Sequence, residues 1–299
     1  MIGLLNLEPK YRNLALEKIR LYYSERGETV EDYFPLRYES YEKIFCSSIF
    51  NFTPKMNLPP NLITGGTGFD LSTLLPPEIE SIKPHLNFGF TSRGCIRKCG
   101  FCVVPEKEGY IHPVGDLLDL WDGQARQIIL YDNNILALSE HFQMVCEQAI
   151  KYKLELDFNQ GLDYRLLNQD NIALLKSIRH HEYRFSFDDP RYMPSVEHAI
   201  TLLQANGIKR CFWYVLVGYN TTFEQDLERV EFLKSRNQNA YIQRYKTDKR
   251  LTLLASWVNQ HHIFHCMTWK QFCAAQKRHE RISSSTHYVS PPLRSSRRT

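Results

Sequence analysis

The stretch Thr91-Ser92-Arg93-Gly94-Cys95-Ile96-Arg97-Lys98-Cys99-Gly100-Phe101-Cys102 places three cysteines in the spacing C-x3-C-x2-C within this 299-residue chain. Three thiols so close in sequence meet at one metal ion or cluster only if the backbone forms a tight loop. Gly94 and Gly100 allow such a loop because glycine adopts backbone conformations that other residues avoid. The stretch therefore predicts a metal centre whose ligands are Cys95, Cys99 and Cys102.

The surroundings and the number of these cysteines both favour an iron–sulfur cluster. Arg93, Arg97 and Lys98 bring positive charge that favours thiolates and offsets the charge of a thiolate-bound cluster. Three thiolates are one fewer than the four ligands that a [4Fe–4S] cluster or a structural zinc ion normally takes, so one iron would be open to a reacting molecule. A zinc site completed by a distant Cys or His is the alternative, although the chain has no second C-x2-C pair.

With Phe101 just before the third cysteine, the motif resembles the C-x3-C-x-aromatic-C signature of the radical S-adenosylmethionine (SAM) superfamily. The resemblance implies that the three cysteines hold a [4Fe–4S] cluster whose open iron chelates SAM. It also implies that the reduced cluster cleaves SAM to a 5′-deoxyadenosyl radical, which abstracts hydrogen from a substrate. An electron donor such as a flavodoxin or a ferredoxin would then be a partner.

The chain after the cysteine loop alternates apolar runs with amphipathic stretches, as the α/β fold of this family requires. The predicted strands are 86–91, 127–131, 154–158, 183–187, 211–217 and 240–245, and helices are predicted within 172–178, 195–205 and 222–235. Such alternation is typical of a parallel sheet or barrel. The resemblance, which covers residues 86–246, implies a partial (β/α)6 barrel over residues 83–250.

Polar residues follow these strands at the edge where parallel folds gather their functional groups. The residues that the resemblance implies as contacts to SAM or substrate are Phe101, Asp132, Asn133, Asn134, Asn159, Gln160, Asp163, Arg165, Ser186, Asp188, Val217 and Gly218. The backbone of Phe101 would contact the adenine, and residues 132–134 would hold the methionine amino group, although the usual Gly-Gly-Glu is missing there. Arg165 suits a carboxylate. Any single one of these residues could instead serve a turn or a helix cap.

Residues 1–82 predict a separate, small Rossmann-like α/β domain. Strands are predicted at 2–7, 30–34, 41–50 and 62–64, with an amphipathic helix over 14–26. The segment resembles the cobalamin-binding domain of the B12-dependent branch and the related domain of methylthiotransferases. The segment contains no histidine, since the first in the chain is His85, and the cobalamin-binding pattern D-x-H-x-x-G is absent. Cobalamin is therefore not expected. The single Cys46 excludes a second three-cysteine cluster in this segment.

The C-terminal part divides into a helical segment, 251–276, and a basic tail, 277–299. His262 and Cys266 would share a helix face, which makes an auxiliary metal an alternative, but the surrounding aromatic residues favour a packed terminal helix. Six basic residues and one acid give the tail a net charge of +5, whereas the rest of the chain sums to −1. We therefore expect a disordered tail, and docking of nucleic acid through it is a weaker alternative.

The composition restricts the remaining classes of protein. The 17 Phe, 17 Tyr and 4 Trp residues exclude a wholly disordered chain, and no apolar run reaches the ~18 residues of a membrane span. The N-terminus lacks the basic start of a signal peptide, so a cytoplasmic location is expected. The sequence thus predicts a radical SAM enzyme with an unidentified substrate. The alternatives are a non-catalytic zinc or iron–sulfur regulatory module and a nucleic-acid-modifying radical SAM enzyme.

Overall fold

The computed structural model describes residues 1–180 and 182–285, with side chains described as far as residue 277. Helices alternate with parallel strands, which confirms the predicted α/β fold class. The chain forms two compact units. The first contains Met1–Ser186 and Thr201–Asn206, and the second contains Phe187–Ile200 and the residues from Gly207 onward.

The first unit begins with a four-stranded parallel sheet, whose strands lie within the segment 1–82. Its elements are β1 (Ile2–Asn6), α1 (Leu14–Ser24), β2 (Val30–Asp32), β3 (Lys43–Ser47), β4 (Leu62–Gly65) and the short α2 (Pro77–Glu80). The strand order is β2-β1-β3-β4. Leu16 and Ile19 of α1 pack on Ile2 and Leu4 of β1, so the apolar stripe of this helix and the central strand form the core.

A second parallel sheet of the first unit positions the cysteine loop. The elements are β5 (Phe88–Gly89), β6 (Ser92–Arg93), α3 (Val104–Lys107), β7 (His112–Pro113), β8 (Gln127–Leu130), α4 (Ser139–Tyr152), β9 (Glu155–Phe158), α5 (Gln169–Ser177), β10 (Arg179–His180) and β11 (Arg184–Ser186). The sheet order is β10-β9-β8-β5. The sequence did not predict the antiparallel pair of β6 and β7, which brackets the cysteine loop.

The second unit is built around two long parallel strands. Its elements are α6 (Met193–Ala205, which belongs to this unit as far as Ile200), β12 (Phe212–Val217), α7 (Phe223–Ser235), β13 (Asn239–Arg244), α8 (Lys249–Val258), α9 (His261–Cys266) and α10 (Trp269–Ser285). Strands β12 and β13 pair over their whole length. Trp213, Val215, Leu254, Trp257 and Phe264 are buried and form the core of this unit.

The two units divide the chain at other places than the predicted domains do. The predicted boundary at residue 82 lies inside the first unit, and the boundary at residue 250 lies inside α8. The helix α10 extends to Ser285 and so includes the beginning of the predicted tail; residues 286–299 lie outside the described residues. The functional division into 1–82, 83–250, 251–276 and 277–299 stays a prediction, as does the partial barrel. No described helix is long and apolar enough to cross a membrane.

Candidate metal centre

The cysteine loop forms a tight turn that depends on Gly94. This glycine has a φ of +82°, and a Cβ atom placed on it would lie 2.5 Å from the backbone oxygen of Tyr110. Any other residue at position 94 would therefore be strained and would collide with the chain. The backbone N–H of Cys95 donates to the oxygen of Gly109 at 3.2 Å, and that of Cys102 donates to the oxygen of Cys99 at 3.0 Å.

The three thiols of Cys95, Cys99 and Cys102 are half-buried and free of disulfides. Within the described residues, no group of three or more His, Cys, Asp or Glu side chains converges on a single metal ion. A [4Fe–4S] cluster differs from a single ion because it binds each thiolate at a separate iron atom. The three thiols, together with the amide of Asn134 beside one of them, suit a cluster in their donor chemistry.

The carboxylate of Glu108 ties the start of the cysteine loop to the end of β8. It accepts hydrogen bonds from the N–H of Gly94 at 2.9 Å and from the Nδ2 of Asn133 at 2.8 Å. It also pairs with Arg93 at 3.3 Å. The sequence did not single out Glu108, since nothing in its local pattern shows a contact with a residue that follows β8. The predicted site residue Asn133 is thus held toward the cysteine loop.

Asp132 is buried, and its carboxylate is engaged by residues that immediately precede the cysteine loop. It accepts hydrogen bonds from the N–H and hydroxyl groups of Thr91, at 3.1 and 2.7 Å, and from those of Ser92, both at 2.5 Å. Burial raises the pKa of Asp132, against the lowering effect of these four donors. These donors make the carboxylate of Asp132 a link between the end of β8 and the start of the cysteine loop. The predicted contact of Asp132 with the methionine amino group stays a prediction.

Asp163 is the centre of a charged cluster beside the loop. Its carboxylate pairs with Arg97 at 2.8 Å and with Arg165 at 2.7 Å, and it accepts a hydrogen bond from the Nδ2 of Asn134 at 3.2 Å. Burial by itself raises the pKa of Asp163, but the two guanidinium groups outweigh burial and the pKa is lowered. Because Arg97 and Arg93 are both paired with carboxylates, part of the positive charge predicted around the thiols is neutralised.

Asn134 brings a polar acceptor next to a cysteine thiol. Its Nδ2 donates to the Sγ of Cys95 at 3.4 Å as well as to Asp163. Its Oδ1 is buried and has no hydrogen-bond partner in the described structure. An unpaired buried acceptor costs free energy unless a ligand supplies a donor, and the contact of Asn134 with a ligand stays a prediction.

The Asp163 cluster makes a testable prediction about stability. We expect Asp163→Asn to lower the free energy of unfolding by about 2 kcal/mol at neutral pH, because the amide replaces a buried carboxylate that makes charged hydrogen bonds with two partly exposed guanidinium groups. The pKa of Asp163 is depressed on folding, so the stability it contributes is present above the unfolded pKa and is lost as pH falls through the folded pKa. Urea denaturation of both proteins should show a difference at neutral pH that shrinks in acid. A difference independent of pH would contradict this reading.

The other predicted residues of the first unit also lie after strands. Asn159 follows β9 directly, and its N–H donates to the oxygen of Leu130 at 3.0 Å. Gln160 is exposed, Phe101 is half-buried in the cysteine loop, and Ser186 ends β11. The structure therefore brings Asn133, Asn134, Asp163 and Arg165 together around the cysteine loop through the contacts described above. The contacts of Phe101, Asn159, Gln160 and Ser186 with a ligand stay predictions.

In the second unit, the predicted residues Asp188, Val217 and Gly218 surround the end of β12. Asp188 accepts a hydrogen bond from the N–H of Leu216 at 2.9 Å, and Val217 is fully buried. Gly218 has a φ of +78°, and its N–H donates to Asp226 at 2.9 Å. Each of the three therefore has a structural role inside this unit, and their contacts with SAM stay predictions.

A buried ion pair supports the Gly218 turn. Asp226 and Arg229 are both fully buried, with 2.5 Å between the Nη2 and Oδ1 atoms. Arg229 also donates to the backbone oxygens of Phe187 at 2.5 Å and of Leu216 at 2.8 Å. The pair thus connects α7 with Phe187, which precedes the predicted residue Asp188, and with Leu216, whose N–H donates to Asp188.

At the carboxyl edge of the N-terminal sheet, the side chain of Glu8 and the glycine-rich loop after β4 contact residues at the end of β3. The buried carboxylate of Glu8 accepts hydrogen bonds from the Ser48 hydroxyl at 2.9 Å and from the Ile49 N–H at 3.0 Å. A Cβ atom on Gly66 or Gly68 would lie 2.4 Å from atoms of Ser48. The glycine-rich loop after β4 therefore packs against β3 of its own sheet.

Comparison with known proteins gives one weak match. No family model matches the chain. A segment of 92 residues is 29% identical to the ribosomal protein uS12 methylthiotransferase RimO of Colwellia psychrerythraea. The match covers 30% of this chain and 19% of that relative, so it spans about a fifth of the relative's length. The similarity supports a distant relationship to the radical SAM enzymes, among which methylthiotransferases are grouped.

Proposed function

We propose that the chain is a radical SAM enzyme in which Cys95, Cys99 and Cys102 hold a [4Fe–4S] cluster and the neighbouring strand ends bind SAM. The observation that carries this proposal is the unpaired Oδ1 of Asn134, a buried acceptor on a side chain whose nitrogen contacts the Sγ of Cys95 at 3.4 Å. An acceptor in this position suits the ammonium group of a molecule bound at the open iron. The weak similarity to a methylthiotransferase supports the same reaction class.

The chain contributes orientation and exclusion of water to this chemistry. When bound, the reduced cluster supplies the electron for the cleavage of SAM that starts hydrogen abstraction from the substrate. Asn134 would hold the methionine amino group, and Arg165 beside Asp163 would face the carboxylate. Asp132 and Glu108 would fix the loop so that the thiols keep their positions.

The proposal includes the partners and setting that this reaction needs. Electrons would come from a donor such as a flavodoxin or a ferredoxin, and a cytoplasmic location would protect an oxygen-sensitive cluster. The remaining predicted contacts within the first unit, those of Phe101, Asn159, Gln160 and Ser186, would complete the SAM site.

Replacement of Asn134 tests the SAM site separately from the cluster. We expect the anaerobically reconstituted wild-type protein to cleave SAM with dithionite, and Asn134→Leu to keep its iron but to raise the Kd for SAM at least ~10-fold, the equivalent of one lost hydrogen bond to a charged group. Iron analysis and SAM titration by calorimetry measure the two effects. Asn168→Leu is the matched control, because Asn168 caps α5 and should affect stability alone.

The outcomes separate the proposed function from its alternatives. Unchanged SAM affinity in Asn134→Leu would remove this residue from the site. A wild-type protein that binds zinc, or that binds iron without cleaving SAM, would favour a regulatory module. Iron binding together with SAM cleavage that requires RNA or DNA would favour the nucleic-acid-modifying enzyme.

A further inference from the structure

A basic cavity of about 560 Å³ lies entirely within the second unit. Its lining includes two cationic side chains, Arg210 and Lys234, and the three imidazoles of His261, His262 and His265. No carboxylate belongs to the described residues that line it. From the sequence, the helix α9, which carries the three imidazoles, was expected to be part of a packed terminal helix, with an auxiliary metal at His262 and Cys266 as the alternative.

Hydrogen bonds fix the orientation of two of the imidazoles. The Nε2 of His261 lies 3.1 Å from the backbone oxygen of Ala240, and the Nε2 of His265 lies 2.9 Å from the Oδ1 of Asn239. Carbonyl oxygens only accept hydrogen bonds, so each Nε2 carries the proton of its neutral ring and each Nδ1 is the ring nitrogen without one. Protonation would therefore add positive charge to rings that are already held in place.

The cationic residues are held in the same way. Arg210 donates through Nε to the backbone oxygen of Asn237 at 3.2 Å and through Nη2 to its Oδ1 at 2.5 Å, which uses two of the five N–H donors of a guanidinium. Lys234 donates to the backbone oxygens of Phe264 and Met267. Both charges are thereby anchored at the wall of the cavity by neutral partners.

The positive charges in the cavity repel one another. Burial lowers the pKa of His265, and Arg210, Lys234 and His261 lower it further. Burial also lowers the pKa of Lys234, against the opposing effects of Cys266 and of Glu231, which lies outside the cavity lining. A site with this surplus of positive charge favours an anion, which would relieve the repulsion.

We propose that this cavity binds a phosphate group, either free or as part of a nucleotide or a nucleic acid. A phosphate offers several acceptor oxygens and carries up to two negative charges, and it would meet Arg210, His262 and His265 at once. The cavity is larger than a single phosphate needs, which leaves room for an attached nucleoside. This site is independent of the proposed SAM chemistry, since none of its residues belongs to the cysteine loop or to its contacts.

The test uses calorimetry on the full-length protein with inorganic phosphate and sulfate. Phosphate itself titrates near neutral pH, whereas sulfate stays a dianion, so sulfate isolates the titration of the imidazoles. The pKa of His265 is lowered in the free protein, and a bound anion favours the protonated ring, so the acid arm of the test is set at about pH 5. We expect both anions to bind at about pH 5 and sulfate to bind at least ~10-fold more weakly at about pH 8, where histidine is neutral. Equal sulfate affinity at both pH values, or no binding of either anion in the millimolar range, would overturn the proposal.

Substitutions of single residues locate the site, and the use of several variants keeps the test valid if one of them does not fold. Arg210→Gln and His265→Asn should each weaken binding of phosphate ~10-fold, and so should His262→Gln, whose side chain is exposed. Lys270→Gln, which removes an exposed charge of α10 outside the cavity, should leave the affinity unchanged. An equal loss of phosphate affinity in the control would show that binding depends only on net charge, and it would contradict a specific site in the cavity.

The source of the phosphate is identified by comparing three ligands. Affinity that rises from inorganic phosphate to AMP assigns a nucleotide. A further rise for a short single-stranded RNA, with affinity that falls steeply with salt concentration, assigns the phosphodiester backbone of a nucleic acid. Equal affinity for all three assigns free phosphate.

Discussion

Cys95→Ala is expected to leave the protein folded but without an iron–sulfur cluster and without SAM cleavage. The substitution removes one of the three proposed thiolate ligands and also the sulfur that accepts hydrogen bonds from Asn134 at 3.4 Å and from the N–H of Arg97 at 3.3 Å. Two thiolates cannot retain a cluster that normally has four ligands, so the iron content should fall from about four atoms per chain to less than about one. Iron and sulfide analysis, visible absorption and formation of 5′-deoxyadenosine measure the effect.

Cys273→Ala is the matched control for this experiment. Cys273 is half-buried in α10, and burial raises the pKa of its thiol, so it is an inert packing residue rather than a ligand. The control should keep full iron content and SAM cleavage. Full iron content in Cys95→Ala would exclude Cys95 as a ligand, and circular dichroism distinguishes loss of the cluster from loss of the fold.

Arg229→Met should destabilise the protein by about 3–5 kcal/mol, because it leaves the buried carboxylate of Asp226 without its counter-charge. Natural domains have about 5–15 kcal/mol of stability in total, so the substitution would remove a large share of it. The Nε of Arg229 is buried and has no hydrogen-bond partner in the described structure, so burial of the guanidinium itself costs free energy that the pair with Asp226 offsets. Urea denaturation followed by tryptophan fluorescence gives the change.

Two further variants separate the buried pair from ion pairs in general. Arg250→Met breaks the pair with Glu224, in which the two side chains are 64% and 73% exposed and 3.1 Å apart. It should cost much less stability than Arg229→Met, because water screens an exposed pair. The double variant Asp226→Asn, Arg229→Met removes both charges while the amide can still accept from the N–H of Gly218, so it should recover part of the loss. Equal losses in Arg229→Met and Arg250→Met would show that burial of the pair is unimportant.

Most strands and the polar residues after them could be predicted from the sequence. The runs at 127–131, 154–158, 211–217 and 240–245 differ from β8, β9, β12 and β13 by at most one residue at either end. Such runs can be recognised because a strand is either continuously apolar, as over 211–217, or alternates apolar with polar residues, as over 154–158, and because it ends where the chain turns polar. The same reading found residues 132–134, which follow β8 directly.

The partners of these residues could not be predicted, because they depend on contacts across the fold. Glu108 holds Gly94 and Asn133, which are 14 and 25 residues away in sequence. The basic cavity shows the same limit: its imidazoles come from α9, but Arg210 precedes β12 and Lys234 belongs to α7. Only the paired strands bring these segments side by side.

The four hydrogen bonds on Asp132 have a consequence for assembly of the proposed metal centre. They fasten residues 91 and 92 to the end of β8, so one end of the cysteine loop is anchored to the sheet before iron arrives. The entropy of closing that loop is then lost during folding of the polypeptide instead of during metal loading. The free energy of iron–thiolate bond formation can therefore go into affinity for iron, and the apo-protein should load without a slow refolding step.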